Sequence, residues 1–303
     1  PFGTNPPQIV AAIMLDTSAP YPTGTYTLIF DGDGTIQISR NGSGTFNQTS
    51  GTGTYTFSVP TATSSGIQLT ITRSNAANPV KNIRIIMPGY ASTYQSQPFY
   101  QPFLDKGQGF KVLRFMNWIR TNGQLITSWS QRTSVNYVTQ SRSQGPATEY
   151  AIMLANELDA DPWFTIPHLA DDDYVTQLAR LIKNNLEPQR KVYIEYSNEV
   201  WNPQFTQYNY AQTQGQSLWP TDSTTLQRRR FYAKRSAEIF RIFETEFGGE
   251  ATRLVKVLAG QAGSATVASD ILSAFGQATI NGAPVNPTGV TARGEIFKRQ
   301  KPD

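Results

Sequence analysis

The stretch Lys191–Asn202, with the sequence KVYIEYSNEVWN, decides the fold class of this chain. Its first half, 191–196, has the β-branched and aromatic residues of a buried strand, and its second half turns abruptly polar. A similar strand pattern occupies 161–166, and a helical pattern at 172–186 lies between the two. A strand, a helix and a further strand in this order predict a βαβ unit with parallel strands.

The same alternation extends outwards on both sides of this unit. Further strand patterns lie at 111–116 and 254–259, and further helical patterns lie at 148–158, 228–247 and 266–275. Together with Asn82–Met87, taken as the strand that leads out of the preceding segment, these patterns give five parallel strands. We therefore predict an α/β fold with a (β/α) TIM-type barrel that is incomplete in this chain, because five strands cannot close a barrel of eight.

Residues 24–87 have a different pattern. Short alternating runs such as Thr25–Phe30 and Ile67–Ile71 are separated by turn residues such as Asp31–Gly34. Alternation with period two and regular turns predict a small antiparallel β-sandwich module inserted near the N-terminus. Such a module either binds a ligand or only packs against its neighbour.

The predicted domain organisation has four parts. They are an N-terminal arm at 1–23, the β-sandwich module at 24–87, the barrel portion at 88–280 and a C-terminal loop or tail at 281–303. The last part is rich in Gly, Pro and Lys and shows no strand pattern of its own.

Composition excludes several classes of function. The absence of cysteine excludes disulfides, thiolate metal sites and cysteine nucleophiles. The net charge of +4 is modest, and we expect the densest basic run, Arg228–Arg230, on the solvated face of a helix, so we predict no nucleic-acid partner.

No apolar run reaches the roughly 18 residues of a membrane span. We predict no metal ion and no cofactor, since Asp171–Asp173 fits a helix start better than a metal site.

The residue usage is typical of a bacterial exported protein. Only 16% of the residues are charged, while Thr, Ser, Asn and Gly are abundant. We therefore predict a secreted or cell-surface location. No basic and then apolar signal follows Pro1, so we expect any export signal to have been removed.

Polar residues follow directly after the predicted parallel strands. Because the carboxyl ends of parallel strands meet at one edge of the sheet, functional side chains are expected there. In chain order, the candidates are Arg114, Asn117, Trp118, His168, Tyr196, Asn198, Glu199, Trp201 and Gln261. The sequence predicts that four consecutive strands bring an arginine, a histidine, an Asn-Glu pair and a glutamine to one site.

This arrangement resembles the clan of retaining (β/α)8-barrel glycoside hydrolases that contains cellulases and mannanases. The resemblance lies in Asn198-Glu199 after the fourth strand, Arg114 on the second and His168 after the third, and it covers about 24–275. The chain is also similar to bacterial exported proteins labelled cellulose-binding, in which a β module precedes the barrel. The resemblance implies hydrolysis of a β-linked polysaccharide, with a polysaccharide or oligosaccharide as the partner.

The resemblance also implies a role for each residue. Glu199 is the expected general acid/base, and Asn198 is expected to bond the 2-hydroxyl of the sugar. Arg114 is expected beside the nucleophile, which it keeps ionised, and His168 is expected to bond a sugar hydroxyl or to orient a neighbour. The flat faces of Trp118, Trp201 and Tyr196 are candidates for stacking on sugar rings, with Asn117 and Gln261 as further substrate-binding residues.

Structural alternatives stay open for three of these residues. Glu199 could stabilise a helix N-terminus, Arg114 could belong to a buried ion pair, and His168 could be a satisfied structural histidine.

The nucleophile is not identified by the sequence. The clan places it on a Glu after the seventh strand, and no such strand pattern is present in the sequence. Glu295 precedes no convincing helix and is not assigned, and Glu195 is expected about 13 Å from Glu199 along an extended strand, which is too far for a partner.

Two functions therefore stay open. One is a retaining glycoside hydrolase, and the other is a non-catalytic carbohydrate-binding or surface-assembly protein on a glycosidase-like scaffold. The open edges of a five-stranded sheet also require closure by further chain segments or a cover, which the β module, the tail after Asn281 or another copy in a homo-oligomer could provide.

Overall fold

The computed structural model describes residues 10–14, 21–280 and 283–284, with side chains described up to Ala278. The chain divides into two compact units, Pro1–Gln101 and Pro102–Asp303. In the described residues, the first unit is built from antiparallel sheets, and the second combines helices with a parallel sheet. The protein is therefore a mixed α/β protein, as the sequence predicts.

In the described residues of the first unit, seven strands are present. They are β1 (Val10–Met14), β2 (Gly24–Asp31), β3 (Gly34–Arg40), β4 (Gly44–Gln48), β5 (Thr52–Val59), β6 (Ile67–Ser74) and β7 (Lys81–Ile86). Antiparallel pairing arranges them in two sheets, ordered β1-β6-β3-β4 and β5-β2-β7. Alternate residues of β2, namely Tyr26, Leu28 and Phe30, are fully buried. They join buried residues of β3, β5 and β6 in one cluster, so the two sheets share a hydrophobic core.

Two strands of this unit differ from the sequence prediction. β7 pairs antiparallel with β2, so the stretch Asn82–Met87 does not begin the parallel sheet, and the prediction of five parallel strands was wrong by this one. The pattern of a single strand does not reveal the direction of its neighbour. β1 lies in the predicted N-terminal arm and pairs with β6 from Val10 to Met14.

The second unit alternates helices and strands. Its elements are α1 (Gln101–Gly107), β8 (Val112–Arg114), α2 (Thr148–Glu157), β9 (Asp161–Ile166), α3 (Asp172–Asn185), β10 (Val192–Tyr196), α4 (Thr206–Leu218), α5 (Thr224–Phe247), β11 (Leu254–Val257) and α6 (Ala265–Gly276). In the predicted tail, Ala283–Pro284 pairs with Thr279–Ile280, and the rest of 281–303 lies outside the described residues.

The parallel strands neighbour one another in chain order, β8-β9-β10-β11. Within the described part of the chain, these four strands do not close into a barrel. Their side chains alternate between two faces. One face is covered by helices, where the ring of Tyr196 packs against Phe231 and Tyr232 of α5. The other face carries Trp163 of β9 and Glu195 of β10.

The helix α3 begins as the sequence predicts. Asp171 is its N-cap, and the Asp171 carboxylate accepts a 2.7 Å hydrogen bond from the backbone N–H of Tyr174. This contact satisfies one of the free N–H groups of the first turn. The prediction that Asp171–Asp173 marks a helix start is confirmed.

The arginine run of α5 does not lie on a solvated helix face. Arg228 is 7% exposed, and its guanidinium lies 3.8 Å from the ring centroid of Tyr208 on α4. Arg229 pairs with Asp270 of α6, and Arg230 pairs with Asp222. The three arginines therefore connect α5 to its surroundings. In the described ranges, neither α5 nor any other helix is long and apolar enough to cross a membrane.

The contact between α4 and α5 depends on Gly215. A Cβ atom at this position would overlap with the backbone carbonyl of Gln227. We expect Gly215→Ala to lower the free energy of unfolding by about 2–3 kcal/mol, because the two helices must separate. Urea denaturation measures the change, with Gly276→Ala as the control, since nothing lies within 4 Å of that added atom. Equal stability of the two variants would contradict this account.

Candidate functional site

The turn after β10 holds Asn198 and Glu199 in an unusual backbone conformation. Ser197 and Glu199 have φ angles of 59° and 43°. The N–H of Ser197 donates to the Ile166 carbonyl at 2.8 Å, and the N–H of Asn202 donates to the Glu199 carbonyl at 2.8 Å. Each non-glycine residue in this left-handed region costs about 1–3 kcal/mol. Contacts from the surrounding protein must therefore hold the turn.

Asn198 lies at the centre of a buried hydrogen-bond cluster. It is 4% exposed, and its Oδ1 accepts from Arg114 Nη2 at 2.9 Å while its Nδ2 donates to Asn122 Oδ1 at 3.0 Å. Gln207 Nε2 donates to the backbone carbonyl of Asn198 at 2.8 Å. Since both ends of the Asn198 amide are already bonded, contact with a sugar hydroxyl would have to use the second Nδ2 hydrogen or the second lone pair of Oδ1.

Arg114 forms an ion pair with a buried carboxylate, but its own side chain is 34% exposed, so the alternative of a buried pair holds for the carboxylate end alone. Its Nη2 lies 2.8 Å from Glu195 Oε2, and the same oxygen accepts from Trp163 Nε1 at 2.9 Å. Glu195 is 1% exposed. Burial raises the pKa of Glu195, and the charge and hydrogen bond of Arg114 oppose this shift only in part. Arg114 therefore connects a buried carboxylate of β10 to the Asn198 side chain.

The chain between Glu195 and Glu199 does not continue as an extended strand. Ser197 and Glu199 have positive φ angles, so the chain turns there and the separation expected for a straight strand does not apply. The charge of Glu199 also contributes to the raised pKa of Glu195, after burial as the main cause. In the described part of the chain, no three acidic, His or Cys side chains gather as a metal site requires.

Glu199 is half-buried, and its Oε2 accepts a 2.8 Å hydrogen bond from Asn202 Nδ2. The next helix, α4, begins only at Thr206 and has no acidic residue in its first turn. Glu199 therefore does not stabilise a helix N-terminus. Its carboxyl group remains accessible in part, as a proton donor must be.

His168 and Tyr196 lie in the core. His168 is 4% exposed and meets the ring of Tyr210 edge-on at 5.4 Å, and its Nδ1 has no hydrogen-bond partner among the described residues. Burial lowers the pKa of His168 to about 4, so the ring is neutral at pH 7. Tyr196 is 1% exposed and donates its hydroxyl to the His168 carbonyl. The structure places neither ring where it could contact a sugar.

The other predicted residues are not bonded to the cluster around Asn198. Trp118 is half-buried and edge-on to Phe115, and Asn117 and Gln261 are exposed. Trp201 is half-buried and lines a small apolar cavity together with residues of α5 and α6. No side-chain hydrogen bond between described residues links these four positions to Asn198.

The sequence analysis did not assign three members of the cluster to the site, Glu195, Asn122 and Gln207, and it considered Glu195 only as a partner of Glu199. A charged residue inside an apolar strand was the available signal for Glu195. Asn122 lies in an irregular loop and Gln207 in the first turn of α4, where polar residues are ordinary. Their importance follows only from the contacts that the fold brings together.

No family model, no curated protein and no solved structure matches this chain. The resemblance to the glycosidase clan therefore rests on the residues and on the strand order alone.

The Arg114–Glu195 pair provides a test of this site. We expect Arg114→Met to lower the free energy of unfolding by about 2–3 kcal/mol, because it leaves Glu195 buried without a counter-charge. The double variant with Glu195→Gln should recover part of the loss, as measured by urea denaturation. Arg180→Met, which breaks the exposed pair with Glu246, is the control and should cost less than about 1 kcal/mol. A double variant no more stable than Arg114→Met would contradict the ion pair.

His168, the only histidine of the chain, allows a test by pH. The pKa of His168 is about 4 in the folded state and 6.5 in the unfolded state. Between these two values the unfolded state therefore binds more protons than the folded state does. Stability should fall from pH 6.5 to 4, by at most about 3 kcal/mol. His168→Gln should lose this component, and NMR titration of the single imidazole gives its pKa directly. A value near 6.5 would show that the ring is hydrated.

Proposed function

We propose that this protein is a glycoside hydrolase that acts on a β-linked polysaccharide, with Glu199 as general acid/base. The observation that carries the proposal is the hydrogen bond from Arg114, on β8, to Asn198, the residue before Glu199 after β10. The relative order β8-β9-β10 agrees with the clan pattern of Arg, His and Asn-Glu on consecutive strands, but because β7 is antiparallel these are the first to third described parallel strands, where the resemblance implies the second to fourth. It also supports the finer proposal that the parallel sheet is part of a TIM-type barrel preceded by a β-sandwich module.

The proposed chemistry uses Glu199 twice. As an acid, it protonates the leaving glycosidic oxygen, and as a base it then removes a proton from the attacking water. Asn202 holds one oxygen of the Glu199 carboxyl group, and no residue in the described part of the chain forms a salt bridge with it. Because the polymer is too large to enter a cell, we also propose a secreted or cell-surface location.

The proposal assigns no nucleophile. A retaining enzyme needs a second carboxylate about 5–5.5 Å from the acid. Glu195 interacts with Glu199, but it is buried and already bonded to Arg114 and Trp163, so it is not free to attack an anomeric carbon. Glu295 lies outside the described residues.

The decisive test is the release of reducing sugar from a panel of β-glucans, mannans and xylans. We expect Glu199→Gln to lower the rate at least about 100-fold, because the amide cannot donate the required proton. The control is Glu157→Gln, which changes an exposed carboxylate at the end of α2. Equal rates for the native chain and Glu199→Gln would contradict the proposal.

Glu195 is bonded to Arg114 and Trp163 and is not free to act as a nucleophile. This favours a second candidate, a non-catalytic carbohydrate-binding or surface-assembly protein. In this case the chain would sediment with insoluble polysaccharide without releasing sugar. Glu199→Gln would then bind as well as the native chain does.

A further inference from the structure

We infer that Gln207 is a positioning residue for Glu199, acting through the peptide group that joins Asn198 to Glu199. The inference rests on the proposed function, since it concerns the proposed acid/base. Gln207 itself has no role in the chemistry proposed above and is not expected to touch a substrate, because its side chain is fully buried.

One amide side chain connects three parts of the site. Gln207 Nε2 donates to the Asn198 carbonyl at 2.8 Å and to Asn122 Oδ1 at 2.7 Å. Its Oε1 accepts from the backbone N–H of Gly123 at 3.2 Å. Both donor hydrogens and one acceptor lone pair of the amide are therefore used. Gln207 fixes the turn after β10 to the loop after β8 and to the start of α4.

The bond to the Asn198 carbonyl is the one that controls Glu199. Arg114 and Asn122 bond to the Asn198 side chain, which can rotate independently of the backbone. The Asn198 carbonyl, in contrast, belongs to the peptide group whose rotation sets φ of Glu199, and this φ is in the left-handed region. Without the Gln207 bond, the peptide can rotate to relieve the strain. The Glu199 carboxyl group would then point elsewhere, whereas proton transfer requires it within hydrogen-bond reach of the leaving oxygen.

A positioning role predicts a loss that depends on the leaving group. Gln207→Met keeps the approximate shape of the side chain and removes both donors. With an unactivated β-linked oligosaccharide, whose leaving oxygen needs a proton, kcat should fall about 10–100-fold with little change in KM. With a dinitrophenyl β-glycoside, whose leaving group departs without a proton, the rate of the glycosylation step should change little.

The matched control is Gln227→Met on α5. Gln227 is also buried, and its Nε2 donates to the Trp219 carbonyl at 2.9 Å, with no side-chain hydrogen bond to residues 197–202 in the described part of the chain. This variant should affect both substrates equally or not at all. Equal losses on both substrates for Gln207→Met, or no loss, would overturn the inference. If Gln207→Met does not fold, Gln207→Asn, which keeps the amide but is one methylene shorter, is measured in the same way.

Hydrogen exchange separates this inference from the proposed function. The N–H of Asn202 donates to the Glu199 carbonyl, so its exchange rate reports on the turn whether or not the protein is an enzyme. If the native chain cleaves neither substrate, the proposed function fails. Faster exchange of the Asn202 amide in Gln207→Met than in Gln227→Met would still support the positioning role, and equal exchange would overturn it.

Discussion

The arrangement of the parallel sheet and of the candidate site depends on one ion pair, between the buried carboxylate of Glu195 and the partly exposed guanidinium of Arg114. A carboxylate that is almost fully removed from water requires a counter-charge and hydrogen bonds, and both come from neighbouring strands. β8 supplies the guanidinium and β9 the indole N–H. The same guanidinium nitrogen reaches Asn198, so the requirement of Glu195 also fixes the side chain beside Glu199. The register of three strands and the start of the turn are therefore set together.

The sequence predicted the four parallel strands and the helices α2, α3, α5 and α6 because their patterns are local, but it did not predict α1 or α4. The predicted strand 161–166 matches β9 residue for residue, and the predicted helix at 172–186 ends one residue beyond α3. Neither the pairing of β1 with β6 nor that of β7 with β2 was predicted, since each depends on contacts with a strand far away in the chain. A short alternating run is compatible with many partners, and only the shared core selects one of them.

The sequence predicted the site residues whose position follows from the end of a strand. It did not predict those whose position depends on the direction in which the side chain points. Asn198 and Glu199 follow β10, as expected. Tyr196 shares the helix-covered face with Ile194 because alternate residues of a strand point the same way. This alternation can be read from the sequence, and it argues against an exposed Tyr196 ring. The contact of Gln207 with Asn122 joins residues 85 positions apart, and no local pattern encodes it.

The ion pairs of the α5 arginines affect the electrostatic potential around the protein. Three consecutive cations in a sequence suggest a concentrated positive field, but here Asp270 and Asp222 neutralise two of them, and the third is covered by the Tyr208 ring. Charges paired at such short range look like dipoles from a distance, and their potential decays faster than that of isolated cations. Two of the three arginines therefore add little to the long-range field, and the charge that remains in this run is that of Arg228, which the Tyr208 ring contacts but does not neutralise.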